Sequence, residues 1–125
     1  MRVHHIALTV NNLNESVSFY SKLFGFYQVK AFERPDLKGK ATFLQCDNTI
    51  LELWEFEQVH KNIVNSNLQH TGIWHIAFGV NSVEDFIKTI PSTISTTKIK
   101  KGASGGNYAF LKDPSGIDVE IYETN

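Results

Sequence analysis

Four residues have the types and the spacing to do chemistry: His5, Glu52, His75 and Glu120. Two imidazoles and two carboxylates form a donor set for one divalent cation, binding at about 2.0 to 2.2 Å. Alone they suit Zn²⁺, and with one or two waters they suit octahedral Ni²⁺, Co²⁺, Mn²⁺ or Fe²⁺. The set arises by repetition. Arg2-Val3-His4-His5-Ile6-Ala7-Leu8-Thr9-Val10 returns seventy positions later as Gly72-Ile73-Trp74-His75-Ile76-Ala77-Phe78-Gly79-Val80. Ile50-Leu51-Glu52-Leu53-Trp54-Glu55 returns as Asp118-Val119-Glu120-Ile121-Tyr122-Glu123, so that Glu52 falls on Glu120 and Trp54 on Tyr122. Each copy brings one histidine and one glutamate.

The elements that must position these residues follow from local patterning. Residues 3–10 alternate, with His4, Ile6, Leu8 and Val10 on one face and His5, Ala7 and Thr9 on the other. The apolar face is expected to meet a helix, which makes His4 a hydrogen-bonded core histidine. His5 then looks out between small side chains that leave space for a ligand. Asn12-Leu13-Asn14-Glu15 reads as a capping box ahead of Val17, Phe19, Tyr20, Leu23 and Phe24 at helical spacing, with Gly25 as the C-cap. Strands are expected over residues 26–32, 41–45 and 49–56, with residues 33–40 a polar loop broken by Pro and Gly. In the last of these strands Leu51 and Leu53 share one face, and Ile50, Glu52 and Trp54 the other.

The second half repeats the plan. A strand over 73–80 leads to a helix from Ser82 through Val83, Phe86, Ile87 and Ile90 that stops at Pro91. Strands follow near 97–100, over 107–111 and over 117–122, with Asp113-Pro114-Ser115-Gly116 as a turn. Lys100 and Lys101 open a basic, glycine-rich loop through Gly106 that could hold a carboxylate or phosphate. The fold class is therefore α+β: two tandem βαβββ modules forming a curved mixed sheet around a metal-binding cleft. Residues 1–125 make one domain, with module one at about 1–57, a polar linker at about 58–71 carrying His60 and His70 as surface residues, and module two at about 72–125.

Bulk properties exclude several classes of partner. Twelve basic and thirteen acidic residues are spread along the chain for a formal charge of −1, which offers no electrostatic footprint for nucleic acid or an anionic membrane. A small-molecule substrate is expected instead. The one cysteine, Cys46, cannot form an intramolecular disulfide and fits a reducing, cytoplasmic setting. No apolar stretch approaches the roughly twenty residues needed to cross a bilayer, and no signal-peptide pattern opens the chain.

The paired HHIALTV and WHIAFGV strands, LELW and DPSGIDVEIYE resemble the vicinal oxygen chelate superfamily, which includes glyoxalase I, extradiol dioxygenases, fosfomycin-resistance enzymes, methylmalonyl-CoA epimerase and metal-free bleomycin-resistance proteins. The resemblance covers essentially the whole chain and is closest to glyoxalase I at the metal positions. It implies that His5, Glu52, His75 and Glu120 ligate one divalent metal per site. The His/Glu/His/Glu set resembles the bacterial enzyme, which prefers Ni²⁺ or Co²⁺. It also implies a homodimer in which each site draws His5 and Glu52 from one subunit and His75 and Glu120 from the other.

By the same resemblance the reaction is a lyase or isomerase step through a metal-stabilised enediolate, on a small 2-oxo or thiol-adduct substrate. Glu120 carries the proton, with Glu52 as its partner. Two positions depart from the glyoxalase I pattern. Thr9 stands where that family places an arginine four residues past the first ligand. Glu55 stands near its asparagine, where a negative charge is expected to disfavour an anionic substrate. Thr9, Trp54, Lys101 and Tyr122 are the expected cleft residues, and Trp54, Tyr122, Phe43 and Phe110 give it an apolar lining suited to a less polar or aromatic substrate. Two other readings stay open: an extradiol-type dioxygenase using His5, His75 and Glu120 around Fe²⁺, and a metal-free protein that binds a drug or metabolite. An epimerase acting on an acyl-CoA is a further enzyme option.

Overall fold

The computed structural model describes residues 1–60, 69 and 71–124, and the chain divides into two compact units, Met1–Asn62 and Ile63–Asn125. Residues 61–68 and 70, most of the expected linker and with it His70, lie outside the described residues; His60 is exposed.

Unit one runs β1 (Ile6–Thr9), α1 (Leu13–Phe24), β2 (Tyr27–Arg34), a 3₁₀ turn (Pro35–Leu37), β3 (Gly39–Cys46) and β4 (Thr49–Phe56). Its four strands are ordered β1-β4-β3-β2, with β1 parallel to β4 and the other pairs antiparallel. Unit two runs β5 (Ile76–Val80), α2 (Val83–Thr89), β6 (Lys100–Lys101), β7 (Asn107–Lys112) and β8 (Asp118–Glu123), and its sheet repeats the order as β5-β8-β7-β6. These are two βαβββ modules, each a four-stranded mixed sheet with one helix, in agreement with the α+β expectation.

Both helices form where the caps say they should. The Asn12 side chain accepts from the Glu15 N–H at 2.9 Å, and Gly25 adopts the left-handed conformation (φ 72°) that lets its N–H bond to the Ser21 carbonyl. A residue with a Cβ there would be strained by about 1 kcal/mol. Ser82 caps α2 through the Asp85 N–H, and Ile90 turns extended before Pro91, which disfavours a helical residue ahead of it. Each sheet then buries one face. Leu44, Leu51 and Leu53 are fully buried with Tyr20 and Phe19 of α1, whereas Val119, Ile121, Ala109 and Leu111 are buried in unit two with Val83 of α2. Truncating one of these leucines to alanine costs about 2–5 kcal/mol.

Three expectations need correction. Residues 33–40 are not an open loop: β2 extends to Arg34 and β3 begins at Gly39, because the Pro35–Leu37 turn, braced by Arg34 Nε and Nη2 donating to Asp36, is tight enough to make a hairpin. The strand near 97–100 reduces to Lys100–Lys101 and a Thr96–Leu111 bridge, with the Thr97 N–H on the Phe110 carbonyl. The first and fifth strands are also shorter than their sequence alternation, starting at Ile6 and Ile76, where pairing with Leu51 and Val119 begins. His5 and His75 therefore each sit one residue before their strand.

Candidate metal centre

Register decides which side chains meet. Ala7 pairs with Glu52 and Phe43 pairs with Glu52, which places these three on the sheet face away from α1; in unit two, Ala77 and Phe110 flank Glu120 in the same way. His5 Nε2 lies 3.3 Å from Glu52 Oε2, and His75 Nε2 lies 3.0 Å from Glu120 Oε2. Phe43 stands 5.8 Å from the His5 ring, and Phe110 stands 5.1 Å from the His75 ring, nearly perpendicular to it. Each unit thus carries the same His–Phe–Glu arrangement on its helix-free face, with His5 exposed and the other members half-buried.

These distances fit a common ion. Two neighbouring donors each about 2.1 Å from one cation stand about 3.0–3.4 Å apart, depending on tetrahedral or octahedral geometry. The same spacing holds an imidazole N–H against a carboxylate, so each pair can share either a cation or a proton. Among the described residues no group of three or more His, Cys, Asp or Glu side chains is placed to hold a metal ion. The four expected donors stand as two two-donor pairs, one per unit.

The remaining expected cleft residues are placed as follows. Thr9 is exposed at the end of β1, paired with Trp54. Trp54 lies in a row of rings: Phe32 is edge-on at 5.4 Å, and Phe56 is stacked at 5.4 Å with an interplanar angle of 3°. Gly39 lies under that stack, where a Cβ would come within 2.6 Å of the Phe56 ring. Tyr122 is held by the glycine loop, its hydroxyl bonded to Ser104 Oγ and accepting the Gly106 N–H at 3.3 Å. The loop closes on itself, with the Gly102 N–H on the Gly106 carbonyl and the Gly105 N–H on the Gly102 carbonyl. Lys100 and Lys101 are exposed on β6.

Two residues behave differently from their sequence reading. Glu55 lies on the Leu51/Leu53 face, and its carboxylate accepts the Leu13 N–H at 2.6 Å at the start of α1, with Lys40 Nζ at 3.4 Å. Its charge serves the helix N-terminus and lies off the face that carries Glu52. Its repeat mate Glu123 does the same for the Val83 N–H at 3.1 Å. The signal was in the pattern: L-E-L-W-E and V-E-I-Y-E each put their last glutamate in phase with the buried residues. His4 is the second case. It is exposed rather than in the core, because the ladder that would bury it begins only at Ile6, and its Nδ1 lies 2.9 Å from Nδ1 of His5.

Residues 2–121 match the glyoxalase/bleomycin resistance protein/dioxygenase superfamily, and the chain belongs to that family, the vicinal oxygen chelate superfamily. It is 27% identical over 130 residues to a lactoylglutathione lyase of Escherichia coli O157:H7, a match that covers 98% of this chain and 93% of that one. Among solved structures, it is similar to a glyoxalase family protein from Enterococcus faecalis, with 25% identity, a TM-score of 0.85 and coverage of 98% and 97% of the two chains. Glyoxalase I from Zea mays is also similar, with 25% identity and a TM-score of 0.80 over 98% of this chain and 44% of the maize chain.

Proposed function

We propose that this protein is a divalent-metal-dependent lyase or isomerase of glyoxalase I type, acting on a small 2-oxo compound or its thiol adduct. The observation that carries the reading is the duplicated pair: in each unit a histidine Nε2 stands 3.0–3.3 Å from a glutamate oxygen on the helix-free face. His5, Glu52, His75 and Glu120 would hold one ion per site, Ni²⁺, Co²⁺ or Zn²⁺ with Mn²⁺ or Fe²⁺ as alternatives. Two pairs complete a four-donor set across a homodimer, the first from one copy and the second from the other. A cation so held supplies Lewis acidity to two neighbouring substrate oxygens and lowers the cost of removing a proton from the adjacent carbon.

The chain's residues do the rest. A Glu120 carboxylate oxygen takes the proton from that carbon and returns it to the neighbouring one, with Glu52 serving the opposite face of the substrate. Phe43 and Phe110 pack against the two histidines and help to fix their ring orientation. The row of Phe32, Trp54 and Phe56 supports a substrate with an apolar or aromatic group, and Thr9 supplies no cation for a substrate carboxylate. The free thiol of Cys46 accords with a reducing, cytoplasmic setting. Among the described residues no helix is long and apolar enough to cross a membrane.

The test is elemental analysis of protein purified without added metal, followed by assay of methylglyoxal with several thiols. Roughly one equivalent of a divalent metal per chain and chelator-sensitive turnover are expected. Glu120→Gln should lower kcat by about 10²–10⁴ with the thermal melt unchanged. A near-normal rate in that variant would remove Glu120 as the base. Tight ligand binding by a metal-free protein, unaffected by chelator, would replace the enzyme with a binding protein.

A further inference from the structure

The two ligand histidines are supported in different ways. His5 Nδ1 meets His4 Nδ1 at 2.9 Å, with the rings at 88° and their centroids 5.2 Å apart. At the repeat position of His4, unit two has Trp74, whose ring stands 4.6 Å from that of His75, and the His75 Nδ1 is buried with no hydrogen-bond partner among the described residues. One histidine is gripped by a hydrogen bond and the other by packing between two aromatic rings.

A bond between two Nδ1 atoms contains a single proton, so one ring donates and the other accepts. If His5 donates, its neutral ring leaves Nε2 as a lone pair, and that lone pair faces the edge where Glu52 Oε2 lies 3.3 Å away. This is the tautomer that a metal requires, and ligating imidazoles characteristically give their other N–H to an acceptor. If His4 donates instead, His5 carries its proton on Nε2, toward Glu52. With His4 donating, every atom of the His4–His5–Glu52 chain has a partner through the Nε2–H; with His5 donating, Nε2 and the Glu52 oxygen are both acceptors, and a cation between them would satisfy both. Among the described residues the Nδ1 of His75 has no such acceptor.

We infer that His4 is a positioning residue for the metal ligand His5: its Nδ1 accepts the Nδ1–H of His5 and presents Nε2 beside Glu52. The inference rests on the metal-dependent reading above, and it gives module one the better-organised half of the donor set. His4 is exposed, so its replacement is expected to leave the fold standing.

The experiment measures Zn²⁺ affinity of the full-length protein by competition with a chromophoric chelator, for the wild type and for His4→Phe, His4→Ala and His4→Gln. Loss of the acceptor in the Phe and Ala variants should weaken binding about ten- to a hundredfold, and Gln, whose amide oxygen can accept the same proton, should recover most of it. In the Zn²⁺-loaded wild type, nitrogen-detected imidazole spectra should show a slowly exchanging His5 Nδ1–H that disappears in His4→Phe. If the wild type binds zinc and all three variants stay within about twofold of it, His4 plays no positioning role and the inference is overturned. If the wild type itself binds no divalent metal, the proposed function fails and this inference fails with it.

Discussion

Asp113 shows how one side chain can shape a module. It is buried, and its Oδ1 accepts the Ser115 and Ile117 N–H groups, both at 2.8 Å, which folds the β7–β8 turn that carries Glu120 into register with Phe110. Gly116, at φ 82°, supplies the left-handed step of that turn. Removing the carboxylate leaves two amide donors without a partner, each worth about 1–3 kcal/mol when buried. Asp113→Ala should therefore lower the unfolding free energy by about 2–4 kcal/mol, read as a shift in the urea midpoint with an unchanged slope. Asp113→Asn keeps one oxygen acceptor and should lose less. At this scale the sequence was informative wherever residue type dictates geometry, as with Asp113-Pro114-Ser115-Gly116, and silent about His4. A histidine preceding a histidine in an alternating strand reads as buried unless one knows where the neighbouring strand begins to pair.

Among elements, the helix N-termini explain a charge that parity alone made puzzling. Glu55, next to last in β4, and Glu123, last in β8, both reach across to the first amide of the helix, so each module closes its own β-α junction with a carboxylate placed at the positive end of the dipole. Glu55→Ala and Glu123→Ala should each destabilise by about 1–2 kcal/mol. The second should cost at least as much, because Glu123 also accepts from Asn107 Nδ2 at 2.9 Å. Denaturant titrations decide this; a variant as stable as the parent would mean that water replaces the contact without loss. Strand and helix identities were legible from alternation, caps and Pro91. The hairpin across Pro35 was not, since a polar, proline-bearing stretch reads as a loop until the facing strands are seen to continue through it.

For the whole molecule, repetition was the most legible feature, and it extends to contacts. The repeat that matches the histidines also matches their phenylalanine and glutamate neighbours and the helix-capping carboxylates, at spacings that differ by a few residues. Duplicated two-donor pairs make a statement about assembly testable. If each site joins the first pair of one copy to the second pair of another, mixing inactive His5→Ala and His75→Ala subunits regenerates one intact site per heterodimer. A random mixture should then recover about a quarter of wild-type activity. No recovery once subunit exchange is demonstrated would place each site within a single chain.

The positions of the chain's two indoles have a practical consequence. Trp54 lies two residues beyond Glu52 on the same face, and Trp74 is in ring contact with His75, so each fluorophore reports on one half of the proposed donor set. Intrinsic emission, with one indole silenced at a time, would follow the order in which the two halves are occupied, without any label.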